Sequence, residues 1–319
     1  MFRTIRIKNT ETKKFEGADY AQRPGEDEMC WIDLQLPDET GLRQLQDRFG
    51  FHPLAIEDCI KSNQRSKIDE YGDHLFIVTH SMSATDRGRH GIKTAELDAF
   101  LGHRFLITVH PEPIPGLDLV WNRVATDATC GAHGMDFIYY LIVDSFVNEA
   151  FPLIDLVSDQ LEAVEAAILR RVDYHQLTQL MRLKRYLIAM RRVLSPERDM
   201  LSILLRRGDP RISEKTSLYF RDAYDHVVRA YEQIDIERDL LGNAMDAYLS
   251  MMANRSTIIM KQLTLLASIF LPLTFLTGFF GQNFSALPFD SKSLFYIEIA
   301  ACIGLPIGMF IWFRRSGWL

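Results

Sequence analysis

The residues best placed to touch an ion lie in an uncharged, apolar stretch close to the C-terminus. Thr257, Met260, Thr264, Ala267, Leu271, Thr274 and Gly278 recur at steps of three and four, so a helix would align them in one stripe. Hydroxylated and small residues on such a stripe have two uses: they let neighbouring helices approach closely, or they offer oxygen atoms to a passing ion. The second use needs several copies around an axis, because one subunit with two crossings cannot enclose a pore. Other chemistries are poorly served. Cys30, Cys59, Cys130 and Cys302 lie far apart and read as reduced packing residues, and the nine histidines form no zinc signature. No nucleophile with a base, glycine-rich phosphate loop or metal triad stands at useful spacing, so an enzyme is not expected. A net charge of −6 and the scarcity of basic stripes with interleaved aromatics argue against nucleic-acid binding. The one strongly basic segment, with Arg182, Lys184, Arg185, Arg191 and Arg192, reads as a solvated or mutually paired helix face, with ion handling as the other reading.

The stripe must be held in a membrane. A mean hydropathy of −0.05 conceals a charged chain up to about residue 255, followed by two apolar segments. Leu263 to Phe280 carries no charge and would span roughly 27 Å as a helix, most of a hydrocarbon core. Leu294 to Phe313 is the second crossing, closed by Arg314 and Arg315, while Arg255 and Lys261 flank the first. These basic residues place both termini in the cytoplasm. Pro272 and Pro306 should bend the crossings slightly. Glu298, one turn inside the second crossing, is either a functional acid or a group that reaches headgroups and water.

Upstream, Cys30 to Leu36 alternates as a strand, Asp38 is placed to cap a helix through Leu42, Leu45 and Phe49, and another short helix begins at Pro53. His74 to Ser81 and Ala99 to His110 carry strand patterns, with turns at Gly72-Asp73 and Gly102-His103, and the proline-rich run from His110 ends regular structure. Met1 to Tyr20 has no apolar core, which predicts no signal peptide and a cytoplasmic N-terminal region. Met135 to Arg171 reads as a helix with Glu149, Asp155, Asp159, Glu162 and Glu165, and Gln176 to Arg207 as a basic one packed antiparallel to it. A third helix from Ser213 continues toward Phe280, roughly 100 Å at about 1.5 Å per residue. The expected divisions are a cytoplasmic α/β domain at 1–134, a helical hairpin at 135–208, the long helix with the first crossing at 213–280, an external loop at 281–293, the second crossing at 294–313 and a basic tail at 314–319.

The run Met260-Lys-Gln-Leu-Thr264, with Ile269-Phe-Leu-Pro-Leu-Thr-Phe-Leu-Thr-Gly-Phe-Phe-Gly-Gln-Asn-Phe284, resembles the CorA family of divalent-cation channels. His52-Pro-Leu-Ala-Ile-Glu-Asp58 followed by Gln64-Arg65 and Lys67, Tyr219-Phe-Arg-Asp-Ala-Tyr-Asp-His226, and the basic ending before Trp318 are similar to family patterns in the same order. The resemblance implies an α+β membrane protein assembled as a funnel-shaped homopentamer in a bacterial-type inner membrane. Its long stalk helices would continue into the pore, with the second crossings outside them. It implies that Thr257, Met260, Thr264, Leu271, Thr274 and Gly278 line the pore, with Met260 and Leu271 as apolar constrictions. Gly281, Gln282 and Asn283 would stand at the family's Gly-Met-Asn selectivity motif. Gln282 departs from the methionine of most members. Asp222 matches the family's intracellular regulatory-metal carboxylate, with Asp86 as the partner from the α/β domain. Divalent cations would be substrate and regulator, and no other cofactor is implied. Mg²⁺ leads, with Co²⁺ or Ni²⁺ alongside; a ZntB-like zinc transporter and a nonconducting membrane-anchored sensor are the alternatives.

Overall fold

The computed structural model describes residues 2–8, 11–85, 91–127, 129–130, 133–282 and 291–318. The chain divides into two compact units, Met1–Ala167 with Asp173–Met245, and Ile168–Val172 with Asp246–Leu319.

The first unit is built on a seven-stranded sheet. Its strands are β1 (Phe2–Lys8), β2 (Glu11–Glu16), β3 (Glu28–Gln35), β4 (Lys67–Tyr71), β5 (His74–Ala84), β6 (Ile92–Gly102) and β7 (Phe105–His110). They lie in the order β2-β1-β3-β7-β6-β5-β4, antiparallel throughout except for the parallel β3–β7 pair. Alternation along β3 sends Cys30, Ile32 and Leu34 to one face and Trp31 and Asp33 to the other. Helices α1 (Glu39–Phe49) and α2 (Pro53–Lys61) cover the first face, burying Leu42, Leu45, Phe49, Ile56 and Cys59 against Phe76, Phe100 and Ile107. Asp38 starts α1 as expected: its carboxylate accepts the Gly41 N–H at 2.8 Å, and Gly50 ends the helix in the left-handed conformation at φ 68°. Both faces are covered, which is why β5 and β7 read as continuous apolar runs.

On the second face lie α3 (Pro115–Thr126) and α4 (Met135–Asn148), with Trp31 and Trp121 at 4.7 Å between ring centroids. Pro115, in the run expected to end regular structure, instead opens α3, where a missing N–H costs nothing. The expected helix over 135–171 is two helices, α4 and α5 (Ala150–Arg170), separated at Glu149. Pro152, in the first turn of α5, has no N–H to carry the ladder back to α4, and Glu149 at the break accepts the Ser81 hydroxyl at 2.6 Å. Although α4 and α5 together are long and apolar enough to cross a membrane, most of that stretch is buried inside this unit. Helix α6 (Tyr174–Arg207) follows, its N-terminus closed by a reciprocal Asp173–Gln176 capping box. β1, β2 and β4 were not evident in the sequence, because β2 and β4 are edge strands with little buried surface.

One buried charge network ties β1, β3, β7 and α3 together. Asp33 is fully buried and accepts from Arg3 Nε at 2.7 Å and from the Thr108 hydroxyl at 2.5 Å, while His110 Nε2 lies 3.3 Å away. Trp31 Nε1 in turn donates to Thr108 Oγ1 at 3.0 Å. Burial alone would raise the Asp33 carboxyl, but the His110 hydrogen bond, the charges of His110 and Arg3, and the Thr108 hydroxyl outweigh it and hold it below its ordinary 3.8. Burial works the other way on His110, yet its hydrogen bond and charge attraction to Asp33 hold it above its ordinary 6.5.

Helix α7 (Glu214–Phe280) contributes residues to both units, and α8 (Lys292–Arg315) belongs to the second. Neither Gly242 nor Pro272 interrupts α7. In the second unit Arg255 Nη1 donates to the Val172 carbonyl at 2.8 Å, just beyond the end of α5. The cysteines are free, and Cys30, Cys59 and Cys130 are buried as packing residues.

Asp33 adds stability fully above pH 3.8 and loses it as pH falls through its lowered value. His110 adds stability fully below 6.5 and loses it as pH rises through its raised value. Thermal unfolding of the full chain in detergent should therefore show Asp33→Ala destabilised by about 3–5 kcal/mol near pH 6, the cost of leaving a buried partner uncompensated. The difference should narrow at either pH extreme.

Candidate ion path and regulatory carboxylates

All of Thr257, Met260, Thr264, Leu271, Thr274 and Gly278 lie on α7 and are exposed in the single chain. At about 100° per residue they fall within an arc of roughly 100°, one face of the helix. Met260 and Leu271 project outward with 67% and 74% exposure, so each presents its full apolar surface on that face. The exposed Leu263 and Phe270 flank that face and Phe275 lies at its edge, whereas Leu265, Ile269 and Leu273 on the opposite side are buried or half-buried. Thr257 Oγ1 donates to the Ala253 carbonyl at 3.0 Å, and Thr274 Oγ1 to the Phe270 carbonyl at 2.8 Å. A hydroxyl whose proton is committed to the backbone can only accept from anything outside the helix. The stripe therefore offers acceptor oxygens framed by two apolar collars.

At the end of α7, Gly281 N–H bonds the Thr277 carbonyl at 3.0 Å and Gln282 N–H the Phe279 carbonyl at 3.3 Å. A Cβ on Gly281 would sit 3.0 Å from the Thr277 carbonyl oxygen, so the turn into this segment favours glycine. Gln282 is exposed, and Asn283 lies outside the described residues. Glu298, on α8, is half-buried and has no hydrogen bond or ion pair among the described residues.

Asp222 is exposed on α7 within the first unit, with its Oδ1 3.9 Å from His226 Nε2. His226 Nδ1 lies 3.9 Å from Asp144 Oδ1 on α4. Burial raises Asp144, partly offset by His226 and reinforced by Asp222. Burial, followed by the charges of Asp144 and Asp222, pushes the neighbouring Tyr140 hydroxyl up to about 12. Asp222, His226 and Asp144 thus stand in a row at 3.9 Å per step, where the sequence resemblance pairs Asp222 with Asp86. Asp144 was hidden because its run, Leu141-Ile-Val-Asp-Ser-Phe146, looks like helix core. Asp86 lies outside the described residues.

Two exposed apolar helical stretches, one of them carrying a polar stripe and ending in a glycine turn, define the class of membrane proteins with two closely spaced C-terminal crossings. A family model described as "CorA-like Mg2+ transporter protein" matches residues 26–315, and the chain belongs to that family. It is 33% identical over 313 residues to a Bacillus subtilis (strain 168) protein, YfjQ, named as a metal ion transporter, covering 98% of this chain and 94% of that one. It is 29% identical over 292 residues to the cobalt/magnesium transport protein CorA of Thermotoga maritima, covering 91% of this chain and 83% of the relative. The solved CorA magnesium transporter of Methanocaldococcus jannaschii superposes with a TM-score of 0.85 over 100% of this chain and 99% of that one. At 22% identity that likeness is one of fold.

The first unit also buries acids that sequence reading passed over. Asp98, on β6 beneath α2, is 2% exposed and its Oδ1 has no hydrogen-bond partner. Burial, and then the charge of Glu96, pushes its carboxyl up to about 8, with the Cys59 thiol pulling the other way. Glu197 of α6 accepts the Ser66 hydroxyl at 2.7 Å and is pushed up to about 7 by burial. Ser66 Oγ lies 3.1 Å from His80 Nδ1. The available signal was periodic: Glu96 and Asp98 share the alternate face of β6 with the core residue Phe100. A group whose folded value is raised destabilises the fold progressively as pH rises from its ordinary value, 3.8 for Asp98, toward that raised value. Asp98→Asn should therefore melt higher than the parent at pH 8, by at least about 3 °C, the response to roughly 1 kcal/mol in a unit of this size. The gain should shrink toward pH 5.

Proposed function

We propose that this chain is a homopentameric Mg²⁺ transporter of the cell membrane, with Co²⁺ and Ni²⁺ as further substrates and the ion path lined by α7. The observation that carries the reading is the acceptor-only hydroxyl of Thr257 and Thr274 on an otherwise apolar, exposed stripe. Mg²⁺ gives up its water reluctantly, and the hydrated ion presents O–H donors outward. Rings of neutral acceptor oxygens match those donors without the tight hold that carboxylate rings would impose. Five copies would bring Thr257, Thr264 and Thr274 around one axis, with Gly278 giving room and Met260 and Leu271 as dewettable gates. Gly281, Gln282 and Asn283 would form the outer mouth. Gln282 supplies an amide oxygen where most of the family has a thioether, a change that keeps the ring neutral and makes it a better hydrogen-bond partner for hydrating water.

The reading includes a cytoplasmic α/β domain at 1–134, the hairpin at 135–208, the stalk and first crossing at 213–280, an external loop at 281–293, the second crossing at 294–313 and a basic tail at 314–319. Arg255 and Lys261 before the first crossing and Arg314 and Arg315 after the second favour both termini on the cytoplasmic side of a bacterial-type inner membrane. A zinc-selective path is disfavoured by a stripe without thiolate or imidazole. For regulation, Asp222 is the carboxylate through which an intracellular divalent ion favours the closed population, with Asp86 as the partner from a neighbouring copy.

Proteoliposomes should accumulate Mg²⁺ without acidifying their lumen. Zn²⁺ uptake with proton entry would replace this reading with the zinc one, and no uptake of either ion would favour a membrane-tethered sensor. Gln282→Met should retain flux and shift the preference among Mg²⁺, Co²⁺ and Ni²⁺. Asp222→Ala should raise the internal Mg²⁺ concentration needed to inhibit uptake by at least about tenfold, the usual scale for losing a group that supports a metal site. Unchanged inhibition would remove Asp222 from regulation.

A further inference from the structure

The opposite charges of α5 and α6 do not pair with each other. Among the described residues no ion pair links the two helices, and their one polar contact is Arg182 Nη2 to Gln160 Oε1 at 3.4 Å. What the hairpin buries is apolar: Leu153, Val157 and Leu161 on α5 and Leu183, Leu187 and Met190 on α6. Two surfaces are therefore left uncompensated. On α5, Asp155, Asp159 and Glu162 are exposed, make no ion pair, and share one stripe with the exposed Ala166. On α6, Lys184, Ile188, Arg192 and Ser195 edge a groove of about 670 Å³ whose opposite wall comes from Ile234, Leu241 and Gly242 of α7. Arg65, from the loop before β4, reaches the same groove. Arg65, Lys184, Arg185 and Arg192 have no ion-pair partner among the described residues, whereas Arg191 is held by Asp235 at 3.1 Å.

We propose that the groove between α6 and α7 receives the acidic stripe of α5 from a second copy of this chain. Charge complementarity names the occupant: each surface carries what the other lacks, and a protein of net charge −6 concentrates unpaired cations here. The dimensions agree. Asp155 to Ala166 and Lys184 to Ser195 each cover eleven helical steps, roughly 16 Å. Small residues face each other as well, since Ala166 sits on the stripe and Gly242 in the groove wall has open space where a Cβ would stand. Ile188, 55% exposed, supplies apolar surface that the contact would remove from water. Because the two surfaces differ, the contact is head-to-tail, and successive copies using it close into a ring only if the rotation fits. The inference rests on the proposed assembly of several copies and adds which faces meet.

The test is disulfide formation in the full chain in detergent. Ala166→Cys with Ile188→Cys, in a Cys302→Ser background, should give covalent dimers and higher ladders under mild oxidation, while either single variant gives none at this joint. Adding Lys184→Glu and Arg192→Glu should cut the yield about tenfold, adding Asp159→Lys and Glu162→Lys should do the same, and combining all four should restore it. Native mass measurement separates the two claims. An intact assembly without the cross-link, or with a yield indifferent to charge reversal, overturns this contact and leaves the transport reading standing. A single subunit overturns both. Should the groove reversal leave the cross-link intact and abolish binding of inorganic triphosphate instead, the groove holds a small anion and the inference is wrong.

Discussion

Everything in the second unit follows from one unsatisfied surface. From about Thr257 to Phe279, α7 carries Thr257, Met260, Thr264, Leu271 and Thr274 along one exposed face bordered by the exposed Leu263, Phe270 and Phe275, while Leu265, Ile269 and Leu273 opposite are buried or half-buried. Large apolar residues left this open are not stable in water, and a helix satisfies its own backbone in lipid, so a bilayer accommodates these bordering side chains. It does not accommodate the stripe. Lipid tails give threonine oxygens nothing to accept from, whereas copies of the same helix around water do. A polar stripe bordered by exposed apolar side chains on a single helix thus fits a membrane and, in the proposed reading, an assembly around water that passes a hydrated ion.

The first unit handles charge in three ways. Asp33 is fully buried and fully compensated, so it fastens β1, β3, β7 and α3 and stays ionised. Asp98 and Glu197 are buried with few partners, and burial favours their protonated forms. The acids of α5 and the cations beside α6 are exposed and unpaired, where screening keeps the free energy of each small. Beside an interior whose acids are either paired or held protonated by burial, the exterior keeps two complementary surfaces that the proposed contact between copies would match.

The sequence made the membrane half legible because a bilayer imposes long uncharged runs, and Leu263–Phe280 and Leu294–Phe313 fall within the helices that form. The cap at Asp38 was readable because it is set by chemistry within four residues. What escaped depended on distant partners. β1 was obscured by its charged neighbours, yet Ile5 and Ile7 are buried because β3 lies beside them. The break at Glu149, by contrast, has a local signal: Pro152 in the first turn of α5 has no N–H to continue the ladder from α4. For the site, spacing and resemblance found the stripe and Asp222, and His226 stands one turn from Asp222 on the same helix, while Asp144 came near them only through the packing of α4 on α7. The expected pairing of α5 with α6 by charge failed for the same reason: hydrophobic burial set their contact, and the charges were left facing outward.

The central claim is that the threonine face of α7 lines the ion path and the leucine face does not. Single cysteines in a Cys302→Ser background, treated in proteoliposomes with a membrane-impermeant cationic thiol reagent during Mg²⁺ uptake, test it directly. The account predicts that Thr264→Cys and Thr274→Cys react and lose uptake, while Leu266→Cys and Ile269→Cys neither react nor lose uptake. Reaction and block confined to the leucine face would contradict it.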